Sequence, residues 1–76
     1  MGPTQLVTMA NDIAAFFVAE NAAEAAGNIA SHLKRYWDPR MRKQIVAHLA
    51  NGGEGLAPAA RDAIELLAAD QARVVS

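Results

Sequence analysis

The residues best suited to specific chemistry lie in one short segment, residues 32–43, with the sequence HLKRYWDPRMRK. Five of the seven basic residues of the chain lie there within ten positions, beside the aromatic pair Tyr36 and Trp37. The five cations are Lys34, Arg35, Arg40, Arg42 and Lys43. Three kinds of chemistry fit such a cluster: packing of the two rings at a helix corner, docking of another protein, or binding of a phosphate group.

Docking and phosphate binding have different requirements. Trp, Tyr and Arg are enriched at the hot spots of protein–protein interfaces because they combine a large contact area with polar groups. Phosphate, from a nucleic acid or a nucleotide-like cofactor, needs clustered cations. A nucleic-acid-binding domain is expected to be basic as a whole, whereas this chain has a net charge of −1. We therefore expect no nucleic-acid partner, and the other interpretations stay open.

Other residue types that support catalysis are too dispersed to form a site. His32 and His48 are sixteen positions apart, and neither lies in an HExxH pattern. Asp62 and Glu65 fit a solvated helix face better than paired acid–base catalysis. The glycine-rich residues 52–55 lack the Lys-Ser/Thr of a phosphate-binding loop. The chain has no Cys, which excludes thiolate metal ligands and Cys nucleophiles. We predict no catalytic residue, metal site or cofactor site in this chain.

The composition predicts one small helical domain over residues 1–76. Of the 40 apolar residues, 18 are Ala and 22 are larger, which makes a modest core that a partner would help to stabilise. No segment approaches the roughly 20 apolar residues of a membrane span. The start, MGPTQL, has neither the basic nor the apolar region of a secretory signal. We therefore expect a cytoplasmic location and no membrane partner.

Apolar spacing and helix-boundary residues predict an all-α fold, a small bundle of about four short helices. The predicted helices cover residues 3 or 4 to 20, 22–36, 39–51, and 58 onward. Asn21 is expected to begin the second helix in a capping box with Glu24. Asp38 as N-cap and Pro39 at the first helical position are expected to begin the third. The predicted inward stripe of the first helix consists of Leu6, Met9, Ile13, Phe16 and Phe17.

Residues 29–49, IASHLKRYWDPRMRKQIVAHL, resemble the hallmark corner of the delta subunit of soluble, NAD-dependent, molybdenum- or tungsten-containing formate dehydrogenases. Family members carry a similar corner, with an aromatic residue before Trp-Asp-Pro-Arg-Met-Arg and a His one turn upstream. MANDIAAFF at residues 9–17 and GGEGLAPAARDAIELL at residues 52–67 also resemble the family, so that the resemblance covers about residues 6–67. Departures at Asp12, Tyr36 and Ala57 change neither the charge nor the Trp of the corner.

The resemblance implies a non-catalytic accessory subunit of a formate dehydrogenase complex. In such complexes the alpha subunit carries bis-molybdopterin guanine dinucleotide and iron–sulfur clusters, while the beta and gamma subunits carry FMN, further clusters and the NAD site. The implied role of the delta subunit is docking on the alpha subunit to support its assembly, cofactor loading or stability. The family implies no cofactor bound by the delta subunit itself.

We therefore predict that residues 34–43, termed the basic corner, form much of a docking surface. The candidate interface residues are Arg35, Tyr36, Trp37, Arg40, Arg42 and Lys43. On this interpretation Tyr36 and Trp37 lie outside the core, and the isolated chain is marginally stable until it binds. The alternative is a cofactor-handling module, in which the corner cations contact the pyrophosphate of the guanine dinucleotide during insertion.

Overall fold

Helices account for nearly all of the chain that the structure describes. The computed structural model describes the backbone of residues 2–75 and the side chains of residues 2–70. The α-helices are α1 (Pro3–Asn21), α2 (Ala25–Tyr36), α3 (Pro39–Ala50) and α4 (Pro58–Val75), with a 3₁₀ turn at Ala22–Glu24 between α1 and α2. Residues 2–75 contain no strand. The predicted all-α class is confirmed.

The chain passes from α1 to α2 through a bend, with no loop between them. Asn21 has extended dihedral angles (φ −162°, ψ 94°), and its side chain accepts a hydrogen bond from the Glu24 backbone N–H (3.4 Å). This bond is the predicted N-cap of the second helix. The first turn after Asn21 is 3₁₀, so the α-helix begins at Ala25, three residues later than expected.

The corner between α2 and α3 forms as the sequence predicts. Trp37 leaves the helical conformation (φ −90°, ψ 136°), and Asp38, directly before Pro39, has the extended conformation that this position favours (φ −72°, ψ 165°). The Asp38 carboxylate accepts a hydrogen bond from the Met41 N–H (2.9 Å), and Pro39 occupies the first turn. An N-cap and a Pro with restricted φ leave the backbone little freedom here. The corner therefore holds α2 and α3 in a defined relative direction.

Two glycines end α3. Gly52 donates its N–H to Leu49 O (3.0 Å) and Gly53 donates to His48 O (2.9 Å), the two hydrogen bonds of a Schellman motif. Their φ angles are +116° and +65°, which residues with a Cβ rarely adopt. The prediction that the Asn-Gly-Gly sequence ends this helix is confirmed.

The core lies where α2 packs against α4 and α1, with α3 closing one side against α4. The largest fully buried side chains are Leu6, Ile29, Leu33, Ile45, Ile64 and Leu67. Six buried Ala residues lie between them on α1, α2 and α4: Ala10, Ala14, Ala25, Ala30, Ala60 and Ala63. Small side chains let helix axes approach closely, so the high Ala content is used in packing at the helix contacts.

The structure reverses the predicted burial of two aromatic residues, one of which lies in the core and the other at the surface. Trp37 is 5% exposed and belongs to the core, so placing it outside the core was wrong. The reason is geometric: Trp37 follows Leu33 by one turn and donates its N–H to Leu33 O (3.0 Å), which continues the buried line of α2. Phe16 was predicted to face inward but is 59% exposed. It lies two positions after buried Ala14, about 200° around the helix.

Candidate docking surface

Two of the five cations of the basic corner are engaged within the chain. Lys34 forms an ion pair with Asp70, which links α2 to α4. Arg42 is half-buried and donates a hydrogen bond from Nη1 to Lys34 O (2.7 Å), which links α3 to the last turn of α2. Arg42 therefore satisfies a carbonyl at a helix end, where a cation is also favoured by the helix dipole. Both residues help to fix the corner in place.

The other three cations, Arg35, Arg40 and Lys43, are exposed. Among the residues whose side chains the structure describes, none gives them a hydrogen bond or ion pair. Arg35 lies in the last turn of α2, whereas Arg40 and Lys43 lie in the first turns of α3. Their charges are therefore available to an external partner.

The structure divides the six predicted interface residues by exposure. Tyr36 is 67% exposed, and Arg35, Arg40 and Lys43 are exposed beside it in the chain. Arg42 is half-buried, and Trp37 is almost fully buried. The exposed part of this corner thus includes Tyr36 and three cations, while Trp37 belongs to the core. That these residues bind a partner stays a prediction.

Sequence reasoning missed a line of rings that leads from the corner across α2 to α1. We term it the aromatic row; it consists of Phe16, Phe17, His32 and Tyr36. Successive ring centroids are 5.3, 5.8 and 4.7 Å apart, at interplanar angles of 80°, 65° and 44°. The first two contacts have the edge-to-face geometry that aromatic rings prefer. The aromatic row joins Tyr36 to the end of α1.

Two signals in the sequence pointed to this row. Phe16 and Phe17 are adjacent in a helix, so their side chains diverge by about 100° and only one can face the core. His32 and Tyr36 are spaced i, i+4, which places their rings side by side on α2. Only the packing of α1 against α2, however, shows that the two pairs meet through Phe17 and His32.

A second group of side chains holds the loop between α3 and α4. Asn11 donates from Nδ2 to Gly55 O (2.8 Å) and accepts from the Ala57 N–H (2.8 Å). His48 donates from Nε2 to Glu54 O (2.8 Å). Arg61 donates from Nη2 to Gly52 O (2.9 Å) and Gly53 O (3.3 Å). These three residues from α1, α3 and α4 fix the glycine-containing loop, and the role of Asn11 was not foreseen.

The remaining candidate residues of the sequence lie apart from one another. His32 lies in the aromatic row, His48 lies in α3 and bonds to the loop, and Asp62 and Glu65 are exposed on α4. No group of three or more His, Asp or Glu side chains among residues 2–70 is arranged to hold a metal ion. In the part of the chain that the structure describes, no helix has the length and apolarity needed to cross a membrane.

The sequence profile of one protein family matches the chain over residues 5–64. That family is the NADH-dependent formate dehydrogenase delta subunit, FdsD. No curated protein and no solved structure matches the chain. The matched range includes the basic corner, the aromatic row and the loop after α3. The resemblance found in the sequence is confirmed, and the chain belongs to the family of NADH-dependent formate dehydrogenase delta subunits.

Proposed function

We propose that this chain is a non-catalytic accessory subunit that docks on the catalytic alpha subunit of a formate dehydrogenase. Docking would support the assembly, cofactor loading or stability of the alpha subunit. Family membership supports a place in a formate dehydrogenase complex. The single observation that carries the docking proposal is Tyr36, two-thirds exposed at the end of α2, in a corner segment that also contains three exposed cations.

Tyr36 and the exposed cations would gain contact area and hydrogen bonds when a partner binds. A Tyr ring provides a large contact area with little side-chain entropy to lose, and Arg forms bidentate hydrogen bonds to carboxylates. Because Asp38 and Pro39 fix the backbone of the corner, these groups are held in position before binding, which lowers the entropic cost of docking. Complementary carboxylates on the partner would speed association and favour the correct partner.

The division of cofactors belongs to this proposal. The bis-molybdopterin guanine dinucleotide with its molybdenum or tungsten, and iron–sulfur clusters, would lie in the alpha subunit. FMN, further clusters and the NAD site would lie in the beta and gamma subunits. The absence of Cys from this chain supports that division for the clusters, because clusters are held by thiolates. The complex would be cytoplasmic.

The test is quantitative co-purification of the alpha subunit with the tagged chain. We expect the double variant Tyr36→Ala/Arg40→Ala to lose at least tenfold in captured alpha subunit, with unchanged helicity by circular dichroism. The matched control is Leu66→Ala/Asp62→Ala, which also removes one exposed apolar and one exposed charged side chain, but from α4. Equal capture by both double variants and the original chain would refute docking through the corner.

The cofactor-handling alternative rests on a separate observation. Asp38, Pro39, Arg40, Lys43 and Gln44 line an open depression at the start of α3. Two cations there suit a pyrophosphate, whereas the Asp38 carboxylate opposes it. Titration of the isolated chain with molybdopterin guanine dinucleotide at two salt concentrations is the test. Binding that weakens with salt supports this role, and undetectable binding rejects it.

A further inference from the structure

The aromatic row contains two of the four exposed large hydrophobic side chains among residues 2–70 and joins them through ring contacts. Its ends, Phe16 and Tyr36, are 59% and 67% exposed, and Phe17 and His32 between them are half-buried. The other large apolar side chains that are exposed among residues 2–70 are Val18 and Leu66. Contiguous apolar area on a small chain is costly in water and typically marks a binding surface.

The two ends of the row carry opposite charge. Phe16 lies between Asp12 and Glu20, one turn before and one turn after it, so the three side chains share one side of α1. Both carboxylates are exposed, and no residue within the described range pairs with them. Tyr36 at the other end lies in the last turn of α2 together with Arg35, and Arg40 follows in the first turn of α3, after Asp38, whose carboxylate caps that helix. A partner that covers the row therefore meets an acidic end and a basic end.

The available area argues against a second copy of this chain as the occupant. With a ring side chain of about 200 Å², the exposed fractions of Phe16 and Tyr36 give about 250 Å², and the half-buried rings raise this to at most about 400 Å². A stable interface needs about 800 Å² from each partner. Two such rows packed face to face fall short of that area, whereas a concave surface on a larger protein also contacts the flanks of the row.

We infer that the aromatic row inserts into an elongated apolar groove of a larger partner subunit. The groove carries carboxylates where it receives Tyr36 and basic side chains where it receives Phe16. This inference rests on the proposed function, since the groove belongs to the subunit on which this chain docks. The opposite charges of the two ends select one direction of the row along the groove, because reversal places like charges together.

The first experiment removes rings one at a time and measures the Kd for the alpha subunit. We expect Phe16→Ala and Tyr36→Ala each to weaken binding tenfold or more. Leu66→Ala, which removes an apolar side chain on α4 that is 48% exposed, should change the Kd by less than twofold. The Phe16 result is the informative one, because Phe16 lies outside the basic corner.

The second experiment reverses charge at the acidic end. We expect Asp12→Lys/Glu20→Lys to weaken binding tenfold or more at low salt, with a smaller effect at high salt. Asp62→Lys/Glu65→Lys makes the same change in net charge on exposed residues of α4 and should leave the Kd within twofold. An equal loss in both double variants would mean that only net charge matters, which overturns the directional groove.

The outcomes separate this inference from the proposed function. If the unaltered chain captures no alpha subunit, the proposed function fails. If it captures the alpha subunit and Phe16→Ala binds as well as Leu66→Ala, the inference about the row is wrong while the proposed function stands. Sedimentation of the isolated chain supplies a third outcome: a dimer that Phe16→Ala or Tyr36→Ala converts to a monomer would show that a second copy occupies the row.

Discussion

Two neighbouring aromatic residues, Tyr36 and Trp37, should respond in opposite ways to truncation. Trp37 is 5% exposed and contacts the core, whereas Tyr36 is 67% exposed. We expect Trp37→Ala to destabilise the isolated chain severely and Tyr36→Ala to destabilise it slightly. The effects on docking to the alpha subunit should differ in kind. Tyr36→Ala weakens docking directly, whereas Trp37→Ala weakens it only by unfolding the chain.

The magnitudes follow from burial. Truncation of a buried Trp to Ala costs about 3–5 kcal/mol. A chain of this length has a free energy of unfolding of about 4–11 kcal/mol, at 0.05–0.15 kcal/mol per residue. Trp37→Ala therefore removes from about a quarter to all of the free energy of unfolding. At roughly 6 °C per kcal/mol, Tm falls by about 20–30 °C. Tyr36→Ala loses mainly its contact with His32, about 1 kcal/mol or less, so Tm falls by about 6 °C or less.

The assay is thermal unfolding of both variants followed by circular dichroism at 222 nm. Tryptophan fluorescence is unsuitable, because Trp37 is the only Trp in the chain and one variant removes it. Urea titration gives the change in the free energy of unfolding independently. A Trp37→Ala variant that melts within about 5 °C of the unaltered chain would refute the placement of Trp37 in the core.

Three further substitutions test the parts that hold the corner and the loop. Asn11→Ala leaves the Ala57 N–H and the Gly55 carbonyl without their partner. It should lower the free energy of unfolding by about 1–3 kcal/mol in urea titration, and a smaller loss would mean that water replaces the amide. Gly53→Ala should cost at least about 1 kcal/mol, because φ is +65° and the new Cβ would lie 2.9 Å from Arg61 Nη2; an unchanged Tm would contradict this. Asp38→Ala removes the α3 N-cap and should cost about 1 kcal/mol, while Asp38→Asn should retain most of the stability.

Local chemistry made the helix boundaries predictable from the sequence. Asp38-Pro39 and Asn51-Gly52-Gly53 act through their own backbone neighbours, and the structure shows the cap and the helix end they imply. The start of the second helix was less well predicted, because the Asn21 cap does not decide whether the turn that follows it is 3₁₀ or α, and here it is 3₁₀. Boundaries set by adjacent residues can be read from a sequence, whereas those set by packing are harder to place.

The surface was less predictable than the boundaries. Charge clustering correctly identified a corner with exposed cations, but it cannot show that Lys34 and Arg42 bind within the chain, since Asp70 is 36 positions from Lys34. Residue type suggested that Trp37 serves an interface, although its spacing from Leu33 places it in the core. Phe16 reached the surface because the buried face of α1 is formed by Leu6, Val7, Ala10 and Ala14, and Phe16 lies about 200° around the helix from Ala14.

Because Trp37 lies in the core, the isolated chain should be more stable than the sequence analysis predicted. A buried Trp contributes several kcal/mol that an interface Trp would contribute only on binding. The isolated chain should therefore fold on its own. Phe16 and Tyr36 are the aromatic side chains that stay exposed until a partner binds.

Hydroxyl-radical footprinting tests the central claim, docking through the corner and the aromatic row, most directly. Oxidation of each side chain is measured in the free chain and in the assembled formate dehydrogenase. We predict that oxidation of Phe16 and Tyr36 falls severalfold on assembly and that Leu66 stays reactive. Trp37 should be protected in both states. Unchanged oxidation of Phe16 and Tyr36, with protection of Leu66 instead, would contradict the account and place the docking surface on α4.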